Sequence, residues 1–226
     1  MAIKNSSSFN LSAAPSAFLA QLLIISVTVL VLIWVLHFRE GIAFNSQNKF
    51  KIFNLHPLFM AVGFLLIAGE AIMTYKILPA GNRKLQKGGH LLLHLIALIC
   101  GILGIYVVFK FNNETSGKHL YTFHSWIGLS SVALFGFQWI LGFFSFWWPR
   151  AEMGARARLA PWHVFFGIVI FLIVVLSVET GLVEIFTILV LTRSQEALIV
   201  NFIGVLVLLF AVSVGLTVIL PRSYNY

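Results

Sequence analysis

Long apolar runs alternate with short polar connections along the whole chain. Six runs stand out, at Ser16–Leu36, Ile52–Tyr75, Gly89–Phe109, Tyr121–Phe144, Pro161–Val183 and Ala197–Leu220. Each is about 20 residues or more, the length an α-helix needs to cross hydrocarbon. Backbone in lipid must satisfy its own hydrogen bonds, which leaves helices or a closed barrel, and these runs are far too long for barrel strands. The expected fold is therefore all-α, a six-transmembrane-helix bundle forming a single domain over residues 1–226. The connections are too short to hold a soluble domain. The first run follows the polar stretch Ser6–Ser8 and lacks the charged start and small-residue cleavage site of a signal peptide, so it is expected to be a retained helix.

Composition agrees, with 60% hydrophobic and 10% charged residues, a balance no soluble domain of this size carries. The net charge of +8 does not point to nucleic acid, because the basic residues cluster in short loops, as topology signals do. With six crossings, one side holds Lys4, Lys76, Arg83, Lys84, Lys87, Arg150, Arg156, Arg158 and Arg222. The other holds Arg39, Lys49, Lys51, Lys110, Lys118 and Arg193. Nine against six is a modest bias, and it favours both termini in the cytoplasm. A lone cysteine, Cys100, excludes an intrachain disulfide and a thiolate metal cluster and is read as a small apolar filler.

Four histidines change the picture. His56, His90, His124 and His163 follow one another at intervals of 34, 34 and 39 residues, about one crossing plus a loop, each two to five residues into its run. Successive helices run in opposite directions, so His56 and His124 lie toward one membrane face, His90 and His163 toward the other. An imidazole in a bilayer is costly without a partner. Two histidines per leaflet, with no cysteine and no carboxylate pair, are too few for zinc or a di-iron site. They suit the two axial positions of a haem, whose porphyrin supplies four nitrogens already. The expected cofactors are two haem b groups held between helices two to five, their irons on the order of 20 Å apart. With both axial positions taken by protein, such a site moves electrons and binds no substrate at iron.

The surroundings fit a large flat apolar plate. Small residues (Gly63, Gly101, Gly104, Gly128, Ser130, Ser131, Gly167) and aromatics (Phe59, Phe64, Trp126, Phe135, Trp162, Phe165, Phe166) lie near the histidines. Each histidine is expected near a helix N-terminus, whose free N–H groups suit haem propionates. His119, Leu120, Tyr121 and Thr122 would serve the haem of His56 and His124, and the basic second loop the other. Pro57 and Pro161 are expected at helix starts, where proline is tolerated. His94, one turn beyond His90, is expected to hydrogen-bond Glu70. A haem-free transporter relaying protons through the histidines is the reading from another class. Intramembrane acids beyond Glu70, Glu179 and Glu184 are missing for it.

Phe53–Pro57 reads FNLHP, Gly69–Ala71 reads GEA and Phe123–Gly128 reads FHSWIG. With the histidine spacing, these stretches resemble the cytochrome b561 family of transmembrane ascorbate-dependent oxidoreductases, and the match covers runs two to six. The resemblance implies that His90 and His163 bind a cytoplasmic haem and His56 and His124 one on the other side. It implies electron transfer from cytoplasmic ascorbate to monodehydroascorbate or a ferric chelate across a vacuolar, vesicular or plasma membrane, in a homodimer joined through the outer helices. A dedicated ferric-chelate reductase is the alternative within the same class.

The family's basic patch falls on Tyr75, Lys76, Lys84 and Lys87, with Arg150 joining from the fourth loop. Cations there would concentrate an ascorbate monoanion. Two positions depart from the family. Lys76 stands where an arginine is usual, which loses the planar fork. Asn112–Asn113 stands where many members carry a histidine before asparagine on the acceptor side, and His119 is the nearby candidate to compensate.

Overall fold

A computed structural model describes residues 12–222; Lys4 and the Ser6–Ser8 stretch lie outside them. Six helices are long and apolar enough to cross a membrane. We label them α1 (Ala13–Phe38), α2 (Phe50–Ile77), α3 (Arg83–Thr115), α4 (Phe123–Trp147), α5 (Met153–Ile188) and α6 (Gln195–Ile219). No strand occurs among the described residues.

The helices overrun the apolar stretches that announce them. α3 begins six residues before Gly89 and ends six after Phe109, and α5 begins eight residues before Pro161. Apolar runs mark the hydrocarbon, whereas a helix continues until a cap stops it. At the start of α3 the Asn82 side chain accepts a hydrogen bond from the Leu85 N–H at 2.9 Å. Its other end is a left-handed Ser116, with φ 55°. α4 opens with reciprocal Thr122–Ser125 bonds, so Tyr121 lies outside it. Such caps satisfy end groups that would otherwise be orphaned.

Two expectations are corrected as a result. Pro161 sits inside α5, two turns from its start, and Pro57 inside α2. His90 lies seven residues into α3 and His163 ten into α5, too deep to meet free N–H groups. Only His124, directly after Phe123, stands in a helix's first turn.

α2 packs along α3, α3 against α4, α4 along α5, and the middle of α2 against α5, closing a four-helix ring. α1 and α6 pack together and flank it. Large apolar side chains such as Phe18, Phe202 and Ile219 point outward, the surface that lipid covers. Lipid is as apolar as the side chains, so helix contact depends on close fit. An added Cβ on Gly63 would lie 2.6 Å from the Cβ of Cys100, and one on Gly101 3.3 Å from Phe64. Gly204 fits against Glu179, whereas Gly215 has nothing within 4 Å.

Three stretches widen into π-helix: Trp34–Phe38, Leu58–Leu66 and Phe143–Trp147. The second follows His56 and the third supplies Phe143, Phe146 and Trp147 to a cavity; π turns recur at functional sites.

The start of α1 and the end of α6 share a face, here the terminal face. The Ala13 N–H donates to the Pro221 carbonyl at 2.8 Å, Lys76 Nζ to the Leu220 carbonyl at 2.6 Å and Arg222 to that of Leu78. At the opposite face, Trp34 Nε1 donates to Glu196 at 2.9 Å, Asn54 binds the carbonyls of Arg39 and Gly41, and Lys49 pairs with Glu114 at 2.7 Å.

Candidate functional site

The ring places α2 diagonal to α4 and α3 diagonal to α5, and each diagonal carries one histidine pair. The rings of His56 and His124 have centroids 6.0 Å apart, with planes at 83°. Those of His90 and His163 are 6.2 Å apart, at 66°. Two metal–nitrogen bonds of about 2 Å each, plus the two ring radii, account for such separations. The histidines meet as pairs: among the described residues no group of three or more His, Cys, Asp or Glu converges as a metal site would need. A metal seated here would take its remaining ligands from elsewhere, as iron in a porphyrin does.

Second partners fix the rings. Nδ1–H of His56 donates to the Gly104 carbonyl at 2.9 Å, that of His90 to the Ala71 carbonyl at 2.9 Å and that of His124 to the Ser177 carbonyl at 3.0 Å. A carbonyl can only accept, so Nδ1 holds the proton and Nε2 is left for coordination, as in metal-bound histidines generally. His163 differs. Its Nδ1 lies 3.1 Å from Nε2 of Gln138, an amide that also donates to the His163 carbonyl at 2.7 Å.

Each pair lies in its own cavity. The one around His90 and His163 is about 390 Å³ and is walled by Phe135, Trp139, Phe143 and Phe146. The one around His56 and His124 is about 300 Å³ and is walled by Phe53, Met60, Ile105 and Phe109. Between the pairs, the rings of Phe64 and Phe135 meet edge to face at 4.9 Å. Large, mostly apolar spaces with convergent nitrogens suit a flat apolar cofactor.

Lys76 and Lys87 line the first cavity with Tyr75; Lys84 and Arg150 do not. Lys76 is already engaged at the Leu220 carbonyl. Asn112, Lys118, His119, Leu120, Tyr121, Thr122 and Glu184 line the second. Nε2–H of His119 donates to Asn113 Oδ1 at 2.9 Å, and its ring stacks on Phe109 at 4.7 Å, so Asn113 reaches the site through His119. Trp126 is 60% exposed on the outer surface and lines neither cavity. Of the small residues picked out by proximity, Gly128 and Gly167 line a cavity, while Gly63, Gly101 and Gly104 seat neighbouring side chains.

The expected His94–Glu70 bond does not form. Glu70 faces outward from α2 to a hydrogen bond with Gln21 on α1. His94 instead packs on His90 at 4.4 Å and Phe135 at 5.2 Å, and its Nδ1 has no partner among the described residues.

Gln138, Ser177, Gly142 and Gly181 also belong to the site, and spacing from the histidines does not reveal them. Their signal is different: a glycine inside an apolar helix, four residues after the group that holds a facing imidazole.

The family model described as eukaryotic cytochrome b561 matches residues 55–188. A rice protein (Oryza sativa subsp. japonica) named probable ascorbate-specific transmembrane electron transporter 1 is 41% identical over 213 residues, 92% of this chain and 91% of its own. Transmembrane ascorbate ferrireductase 2 of Arabidopsis thaliana is 42% identical over 202 residues, 87% of each chain. A sheep protein (Ovis aries), transmembrane ascorbate-dependent reductase CYB561, is 34% identical over 196 residues, 85% of this chain and 77% of its own.

Proposed function

Because the chain belongs to the eukaryotic cytochrome b561 family, whose members are haem b proteins, we propose that it carries single electrons across a membrane through two haems. The donor is ascorbate at the terminal face, and the acceptor at the opposite face is monodehydroascorbate or a ferric chelate. It is a multi-pass transmembrane oxidoreductase, and relatives named for ascorbate-dependent electron transport and ferrireduction support the donor and the reaction class. The terminal face is the cytoplasmic one in this reading, on the bias of basic residues.

One observation carries the proposal: two histidine pairs, at 6.0 and 6.2 Å, stacked on opposite diagonals of one helix ring. His90 and His163 would hold one haem and His56 and His124 the other. Each haem, when bound, would supply a one-electron redox centre. The protein's own residues do the rest. Carbonyls of Gly104, Ala71 and Ser177 keep the Nδ1 protons in place, which orients three rings and leaves each Nε2 lone pair free. Aromatic walls exclude water. Lys87, with Tyr75 beside it, draws an anionic donor to the terminal mouth. Lys118, Asn112 and His119 form the opposite mouth, and Asn113 holds the His119 ring in one orientation.

The visible spectrum of purified protein tests this, recorded oxidised, after ascorbate and after dithionite. Sharp α bands with two haems per chain, mostly reduced by ascorbate, are expected. A featureless spectrum from protein expressed with ample haem overturns the function. Haem reduced only by dithionite removes ascorbate as donor. Rates with ferric chelate and monodehydroascorbate, measured side by side, select the acceptor.

A further inference from the structure

Glycine is among the poorest helix formers, so a glycine inside a membrane-spanning helix needs a reason. Gly142 in α4 and Gly181 in α5 share one. A Cβ built on Gly181 would lie 2.7 Å from Cε1 of His124, 3.1 Å from its Nδ1 and 3.3 Å from its Nε2. A Cβ on Gly142 would lie 2.9, 3.6 and 3.8 Å from the same atoms of His163. In both cases the three nearest atoms all belong to the facing imidazole. The arrangement is reciprocal, because His124 is on α4 and its glycine on α5, while His163 is on α5 and its glycine on α4. Each glycine also follows, by four residues, the group that holds the same ring: Ser177 for His124 and Gln138 for His163.

Carbon atoms pack at about 3.5–4.0 Å, so a methyl at either position would displace the ring. A free side chain would swing aside. With haem bound, a ring coordinated through Nε2 would have no such retreat, and at His124 the Ser177 carbonyl already holds the other nitrogen. Other glycines of the same helices are unlike these two. A Cβ on Gly136 meets Leu98 at an ordinary 3.5 Å, and one on Gly154 meets nothing closer than 3.8 Å.

We propose that Gly142 and Gly181 are positioning residues that set, independently, the plane of the His163 and His124 imidazoles. The inference rests on the reading that these pairs hold haem, and it assigns one glycine to each centre. The planes within the two pairs already differ, at 66° and 83°. The angle between axial imidazole planes governs the magnetic anisotropy of a low-spin ferric haem, so the two centres are distinguishable by electron paramagnetic resonance.

The experiment compares the full-length, haem-loaded protein with Gly142→Ala, Gly181→Ala and the control Gly136→Ala. His163→Ala and His124→Ala assign the two signals. Gly181→Ala is expected to shift or abolish the His124 signal alone, Gly142→Ala the His163 signal alone, and Gly136→Ala neither. Unchanged signals in both glycine variants, or equal disturbance of both centres by each, overturn the proposal. If Gly181→Ala does not accumulate, it is combined with His124→Ala, which removes the ring it would strike. Accumulation of the double variant to the level of His124→Ala supports the proposal; continued loss shows that the glycine serves helix packing and overturns it. Two haems in the wild-type protein with indifferent glycines defeat this inference alone, whereas wild-type protein without haem defeats the proposed function as well.

Discussion

An intramembrane histidine carries little information until its second nitrogen is accounted for. Three of the four paired rings give Nδ1–H to a main-chain carbonyl, and His163 instead faces the Gln138 amide there. Residues behind a metal ligand are typically worth 10- to 100-fold in metal affinity. Gln138→Leu is therefore expected to lower haem affinity at the His90–His163 pair by about that factor, measured as haem per chain on dilution, with the other centre retained. Equal retention at both would show that the amide merely fills space. The two cavity lysines also part company at this scale. The ammonium of Lys76 is committed to the Leu220 carbonyl at 2.6 Å, so Lys87 is the one left for an anion. Lys87→Gln should raise the KM for ascorbate about two- to fivefold, matching the ~1 kcal/mol or less of a solvated charge contact, and added salt should narrow the gap. Lys76→Gln should change KM less, and the reverse order would sink the assignment. The four histidines were legible in the sequence because alternating depth is a pattern of residue type and spacing. Gln138, Gly142 and Gly181 were not, because what defines them is the facing helix.

Helix number and order follow directly from the apolar runs, but helix ends do not. Hydropathy reports where lipid is, and the backbone stays helical beyond it. Depth counted from the apolar start put all four histidines near an N-terminus, and only His124 stands there. The overhang on α3 has a function in this arrangement, for Lys84 and Lys87 lie on its polar first turns and Asn82 caps them. Asn82→Ala removes an acceptor worth roughly 1 kcal/mol at an N-cap. Expected outcomes are a melting temperature lower by a few degrees, followed by the Soret band, and a higher KM for ascorbate. Asn82→Ser should restore both. An unchanged KM would mean that the first turns hold their shape without the cap.

Across the whole molecule, the ring of α2 to α5 sets one histidine pair on each diagonal, and α1 and α6 add no ligand. The diagonals therefore divide the work by face. In vesicles with ascorbate at the terminal face and a ferric chelate at the other, loss of either pair should stop transfer across the membrane. The two losses should differ in what remains. His56→Ala or His124→Ala removes the centre beyond the Phe64–Phe135 contact and leaves the one beside Lys87, so about half the absorbance should still respond quickly to ascorbate. His90→Ala or His163→Ala removes the centre beside the donor's mouth. The surviving haem then lies behind the closely packed Phe64 and Phe135, and its reduction from the terminal face should slow by orders of magnitude. Dithionite should still reduce it fully, which separates a lost route from a lost haem. Fast ascorbate reduction in His90→Ala would mean that the donor reaches the far cavity by another path, and the division of labour between the faces would fall with it.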